Sequence, residues 1–93
     1  MRFEWDDKKN SSNLRKHGVD FGVAIAVFDD PLHVTTQDRV VDGELRWRTI
    51  GEVQDRYLLL VAHTLEEEGE EVIRIISARE ATAHERRDYE GDC

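Results

Sequence analysis

The chain has 93 residues, of which 39% are hydrophobic and 37% charged, with a formal net charge of −8. This length makes one domain, residues 1–93, with a core small enough to lean on a partner for stability. The apolar content excludes a disordered chain, no apolar run approaches the ~20 residues of a membrane span, and the N-terminus carries no secretory pattern, so a cytoplasmic protein with no membrane association is expected.

Residues 2–5 alternate, with Phe3 and Trp5 on one face, and predict a short first strand. Asp6 or Asp7 can cap a helix over 8–17 that Gly18 ends. The polar run Asn10-Ser11-Ser12-Asn13 weakens that helix, so packing through Leu14 is expected to support it. Asp20 opens a second helix whose Phe21, Ala24, Ile25 and Phe28 form one apolar stripe, and Asp30-Pro31 ends it.

Strand signals follow. Residues 32–37 are short and β-branched, 38–43 read as a polar loop, and 44–53 alternate. Residues 56–64 are nearly all apolar, as in a central strand covered on both faces; Glu66 to Glu71 form a solvated hairpin tip, and 72–77 are a further strand. Ser77 and Glu80 have the spacing of a capping box, which predicts a terminal helix over 78–90. Its few apolar positions leave it weakly anchored and open to a partner. The order β-α-α-β-β-β-β-α makes an α+β domain, an antiparallel sheet with helices packed on it.

Cys93 is the only cysteine, which excludes an internal disulfide and a CxxC metal site and reads as an incidental surface thiol. His17, His33, His63 and His84 are dispersed and form no HxxxH pair, so neither a metal nor another cofactor is expected. Phosphate-nucleotide loops and nucleophile elbows are absent.

Taken together, Phe3-Glu4-Trp5-Asp6, Asn13 to Val19 with its Lys16-His17-Gly18, Phe21, Ala24, Val27-Phe28 and Asp30-Pro31 resemble the first half of the BrnT toxins. Glu44, Arg46, Gly51, Leu58 to Thr64, Arg74-Ile75-Ile76-Ser77-Ala78-Arg79, Ala81, Glu85-Arg86 and Tyr89 resemble the second. The resemblance implies a RelE-like fold and a toxin of a type II toxin–antitoxin system that cleaves RNA. It also implies a BrnA-type ribbon-helix-helix antitoxin, contact with operator DNA only through that antitoxin, and the ribosome as an open further partner.

Metal-free RNA cleavage needs a base for the ribose 2′-OH, cations for the pentavalent transition state and an acid for the leaving 5′ oxygen. On the resemblance, Lys16, His17, Glu44, Arg46, His63 and Arg79 are the catalytic candidates, and Trp47, Arg48, Arg74 and Arg86 the RNA-binding ones. Each has a plainer reading beside it. His17 at a helix end can simply bond carbonyls, and Lys16 can be a solvated lysine. His63 can be a satisfied core histidine, Trp47 a core tryptophan, and Glu44 and Arg46 a surface ion pair. Arg74, set among apolar residues, needs a carboxylate partner. Arg79 is expected at a strand-to-helix junction, where free helix N–H groups suit an anion, and Arg86 can equally meet the antitoxin. The net charge of −8 opposes RNA binding and leaves two other functions open. One is a non-catalytic corepressor acting with its antitoxin, and the other a scaffold whose acidic face docks a basic partner.

Overall fold

Asp6 and Gly18 delimit the first helix. The Asp6 carboxylate accepts from the N–H groups of Lys8 and Lys9, and Gly18, at φ 72°, donates its own N–H to the Leu14 carbonyl. In this computed structural model, which describes residues 1–91, the elements run β1 (Arg2–Glu4), α1 (Asp7–His17), α2 (Phe21–Ala24) with a 3-10 continuation (Ile25–Asp29), β2 (Val34–Val41), β3 (Glu44–Val53), β4 (Tyr57–Glu67), β5 (Glu71–Glu80) and α3 (Ala83–Tyr89). Cys93 lies outside the described residues. The five strands form one sheet in the order β1-β5-β4-β3-β2. β2 to β5 are antiparallel neighbours, whereas β1 joins β5 in parallel, so the sheet is mixed at one edge.

The residue that anchors α1 is not Leu14, which is 47% exposed, but Asn13. β1 pairs with β5 only over Val72 to Arg74, and beyond that point α1 packs along β5. There the Asn13 amide donates to the Ala78 carbonyl (2.8 Å) and its oxygen accepts from the Ala78 N–H (3.1 Å), as a neighbouring strand would. The same amide donates to Val19 O at 2.9 Å, while the Asn10 oxygen accepts from Phe21 N–H at 2.8 Å. Asparagines that weaken the helix by propensity thus hold it in place through tertiary bonds.

The second helix tightens after Ala24, and Phe21, Ala24 and Val27 are fully buried at the three-residue spacing of a 3-10 turn. The expected stripe changes accordingly: Ile25 and Phe28 are only half-buried. Val27 sits against Gly51 of β3 so closely that a Cβ on Gly51 would lie 2.7 Å from the Val27 carbonyl oxygen.

Three strands run further than the sequence suggests. β2 continues to Val41, and the expected loop shrinks to an Asp42-Gly43 turn with φ of 51° and 78°, the geometry of a two-residue hairpin. β4 reaches Glu67, leaving Glu68, Gly69 and Glu70 as the tip. β5 continues through Glu80, where a helix was expected, because Ala78, Arg79 and Glu80 pair with Val61, Leu60 and Leu59. The capping box exists, five residues later: Thr82 Oγ1 accepts from Glu85 N–H, and the Glu85 carboxylate accepts from Thr82 N–H.

Alternation divides the sheet into two faces. One carries Val53, Leu59, Val61, Ile73, Ile75 and Ala78 and packs under Phe21, Ala24 and Val27. The other carries an apolar cluster at one end, where Ile50, Leu58 and Leu60 meet Ala81 and Tyr89. Two polar contacts fasten α3 there. Tyr89 donates to Asp30 at 2.6 Å, and Arg79 of β5 forks onto Glu85 at 2.7 and 2.9 Å. The Tyr89 hydroxyl is pushed up to about 12 by the Asp30 carboxylate it bonds. Burial pushes Asp30 up, but the bonds from Tyr89 and from the Glu52 and Leu32 N–H groups outweigh it and hold that carboxyl below its ordinary value.

Replacing Asn13 with Ala strips two bonds from the buried backbone of Ala78 and one from the part-buried Val19 carbonyl, and is expected to destabilise the fold by about 2–4 kcal/mol in urea denaturation; a loss below about 1 kcal/mol would remove the anchoring role. The Arg79 guanidinium holds Glu85 at about 2 rather than 4.5. A carboxyl with a depressed folded value stabilises above its unfolded value and loses that stabilisation as acid protonates it. The stability advantage of wild type over Glu85→Gln is therefore expected to be full at neutral pH and to disappear between pH 4.5 and about 2. Parallel denaturation curves at pH 6 and pH 2.5 would read it, and an unchanged gap would refute it.

Candidate active site

The second face gathers cations. Arg46 and Arg48 lie two apart on β3 and share that face, and cross-strand pairing puts Arg74 and Arg79 of β5 on it too. Arg48 is paired through Ala62 to Ser77, Arg79 through Leu60 to Ile50, and Arg74 is the partner of Thr64. Four guanidinium groups from two strands thus lie on one side of the sheet, although the chain as a whole is acidic.

Glu44 organises the centre of this patch. Both its carboxylate oxygens accept from Arg74 Nη2 at 2.6 Å, and Arg46 Nη2 lies 3.4 Å from Oε1. Arg74 therefore finds the carboxylate partner that its apolar strand demands. The three side chains are each partly exposed, so the cluster is open to solvent at its rim. Arg48 approaches Thr36 Oγ1 of β2 at 3.4 Å. A carboxylate held between two guanidiniums supplies both a proton acceptor and the positive field for a developing phosphorane.

The remaining predicted residues scatter. Arg79 does not stand at a helix start; it lies within β5, and its charge is taken up by Glu85. Trp47 is on the opposite face from its neighbours Arg46 and Arg48, where it pairs with Gln37 and His63, so the indole and the two cations do not present one surface. Lys16 and His17 are exposed at the end of α1 and border β5 at Ile76 and Ser77 in a depression of about 250 Å³. Arg86 is exposed on α3, 4.0 Å from Glu90.

His63 is wholly buried on the helix-covered face. β4 runs on to Glu67, so His63 is not at a strand end as expected. Its Nδ1 lies 3.2 Å from the Thr64 carbonyl and its Nε2 2.8 Å from Thr49 Oγ1, which is 2.7 Å from Thr35 Oγ1. A carbonyl only accepts, so this network assigns the proton to Nδ1 and makes Nε2 the acceptor from Thr49. The Phe28 ring packs edge-on at 5.2 Å. Burial pulls the imidazole below its ordinary value, against the smaller opposing effect of the Thr64 carbonyl, and the ring is neutral.

Sequence reasoning missed Thr64, which sits between the arginine-bearing strands as the cross-strand partner of Arg74. The signal was available: Thr64 follows His63 and so takes the opposite face of β4. An apolar groove of about 310 Å³ lies elsewhere, between the end of α1 and the β3–β4 hairpin, lined by Leu14, Val23, Tyr57 and Leu59 among others. Among the described residues, no three His, Cys, Asp or Glu side chains converge as a metal-ion site, and no helix is long and apolar enough to cross a membrane.

Comparison with known proteins bears on the family and the fold. The chain is similar to the crystal structure of the Brucella abortus ribonuclease toxin BrnT, at 26% identity and a TM-score of 0.63, covering 88% of this chain and 97% of that one. No curated protein matches the chain. The profile of a family described as "Ribonuclease toxin, BrnT, of type II toxin-antitoxin system" matches residues 5–85. The protein therefore belongs to the BrnT family of ribonuclease toxins, which act within type II toxin–antitoxin systems.

Proposed function

We propose that this chain is an endoribonuclease acting in the cytoplasm, that it cleaves RNA on the sheet face opposite α1 and α2 with its own side chains and no metal ion, and that an antitoxin restrains it. The observation carrying this reading is the Glu44 carboxylate bound between Arg74 and Arg46 on an otherwise open face. An RNA phosphate competes with that carboxylate for the two guanidiniums. Once displaced, Glu44 takes the proton of the neighbouring ribose 2′-OH. The 2′ oxygen bonds to phosphorus, the bond from phosphorus to the 5′ oxygen breaks, and a water protonates the departing oxygen; Lys16 and His17, at the end of α1, lie outside this cluster and take no part in the step. The products are a 2′,3′-cyclic phosphate and a 5′-hydroxyl end. Arg48 extends the phosphate path toward β2, and Arg79 and Arg86 extend it along the side of α3. His63, buried and neutral, orients β4 from the other face and takes no proton from substrate.

The restraining partner is a BrnA-type ribbon-helix-helix protein, through which the complex represses its own operon. The net charge of −8 supports a partner with basic surface. A second reading, a corepressor without catalysis, draws on one observation: Glu44 and Glu85 already neutralise Arg74 and Arg79.

The two readings separate in one assay. Purified free of antitoxin and incubated with RNA in EDTA, the wild type is expected to cleave, and a 2′-deoxy nucleotide at the scissile position to block cleavage. Glu44→Gln is expected to lower kcat by about 10²-fold or more, the usual contribution of a positioned base. Arg74→Ala is expected to lower kcat/KM by a similar factor through lost charge stabilisation. Absence of cleavage with or without ribosomes would leave the corepressor reading standing, and full activity in Glu44→Gln would remove Glu44 as the base.

A further inference from the structure

Two polar atoms are buried without a hydrogen-bond partner among the described residues: Nε of Arg46 and Oγ1 of Thr64. Thr64 is only 1% exposed. A buried hydroxyl without a protein hydrogen-bond partner is unfavourable by about 1–3 kcal/mol, and a buried donor on a charged group by more. Valine has nearly the shape of threonine and suits a buried strand at least as well, so packing alone does not call for the hydroxyl.

The two orphaned atoms fall in one place. Thr64 is the cross-strand partner of Arg74, and Arg46 precedes Trp47, whose partner His63 precedes Thr64. Thr64 therefore stands between the two arginines that hold Glu44, on the same face. Glu44 satisfies only part of this cluster: both its oxygens bond Arg74 Nη2, Arg46 Nη2 is at 3.4 Å, and neither Arg46 Nε nor Thr64 Oγ1 is reached. A planar carboxylate offers two oxygens. A phosphate offers a tetrahedron of them, and a guanidinium accommodates either anion.

We propose that Thr64 Oγ1 and Arg46 Nε, with the guanidinium of Arg74, form a cradle for the non-bridging oxygens of an RNA phosphate, and that Glu44 holds this seat in the free protein. The inference rests on the RNA-cleaving face proposed above and adds Thr64 as a residue that binds the scissile phosphate. The unmet hydroxyl is a local loss of stability retained for binding, as strain and unpaired polar groups at functional sites are.

The test is Thr64→Val, with Thr64→Ser as the variant that keeps the hydroxyl. Without ligand, Thr64→Val is expected to melt at or above the wild-type Tm, because an unpaired hydroxyl has been removed. Titrated with inorganic phosphate, the wild type is expected to show a shift of the Arg46 Nε–Hε NMR signal, and Thr64→Val to bind phosphate about tenfold more weakly, as loss of one charge-assisted bond implies. Thr64→Ser is expected to retain most of the wild-type affinity. Equal phosphate affinity in wild type and Thr64→Val, or an Arg46 signal indifferent to phosphate, would overturn the cradle. RNA cleavage that persists unchanged in Thr64→Val would overturn it too while leaving the nuclease reading intact. Thr64-dependent phosphate binding in a protein that cuts no RNA would support the cradle and sink the nuclease reading.

Discussion

The two bonds between the Asn13 side chain and the backbone of Ala78 hold this fold to its plan. β5 has a sheet neighbour on its β1 side only as far as Arg74, and the next stretch of that edge needs partners for its N–H and C=O groups. An asparagine amide carries one donor face and one acceptor, the same complement as a strand residue. By taking the place of a sixth strand, α1 closes the edge, and through Val19 and Asn10 it also positions the start of α2. α1 and α2 are thereby committed to one face of the sheet, and the other, which α3 covers at one end, is left open at its far end.

That division of faces accounts for the chemistry. His63 and Thr64 are adjacent in the chain, yet one lies under Phe28 in the core and the other among arginines. Trp47 and its flanking arginines are separated in the same way. A strand presents successive residues to opposite environments, so function on this sheet follows every second residue and not the contiguous motif. The buried histidine, neutral and fully bonded, contributes register and packing, while the charged pair contributes the field.

The acidic balance of the chain and the proposed RNA substrate are reconciled at the same place. Each central arginine is matched by a carboxylate of the protein itself, Arg74 by Glu44 and Arg79 by Glu85, so the free protein carries its cations in neutralised form. An RNA phosphodiester carries the same single charge as such a carboxylate and can exchange with it at little desolvation penalty, since the guanidinium is paired before and after. The net negative surface outside this patch then favours a basic protein partner over non-specific RNA, which suits a toxin kept in a complex.

Much was legible from the order of residues. Hydrophobic period and capping chemistry are local, and they placed the start of α1 at Asp6 or Asp7 and its end at Gly18, named β3 to the residue, and ordered all the elements. The pairing of Glu44 with Arg46 on one face followed from a spacing of two. What sequence could not decide was competition between local and distant bonds. Ser77 and Glu80 carry a valid capping box, but strand pairing with β4 claims residues 78–80 and passes the cap to Thr82 and Glu85. Asn13 reads as a poor helix residue until Ala78, sixty-five positions away, supplies its partner. The union of Glu44 with Arg74 across thirty residues, and the placing of Thr64 between the arginines, likewise exist only once the register of β3, β4 and β5 is set. Propensity and period act over a few residues, whereas the proposed active face is made by cross-strand neighbours, and only the folded sheet brings those together.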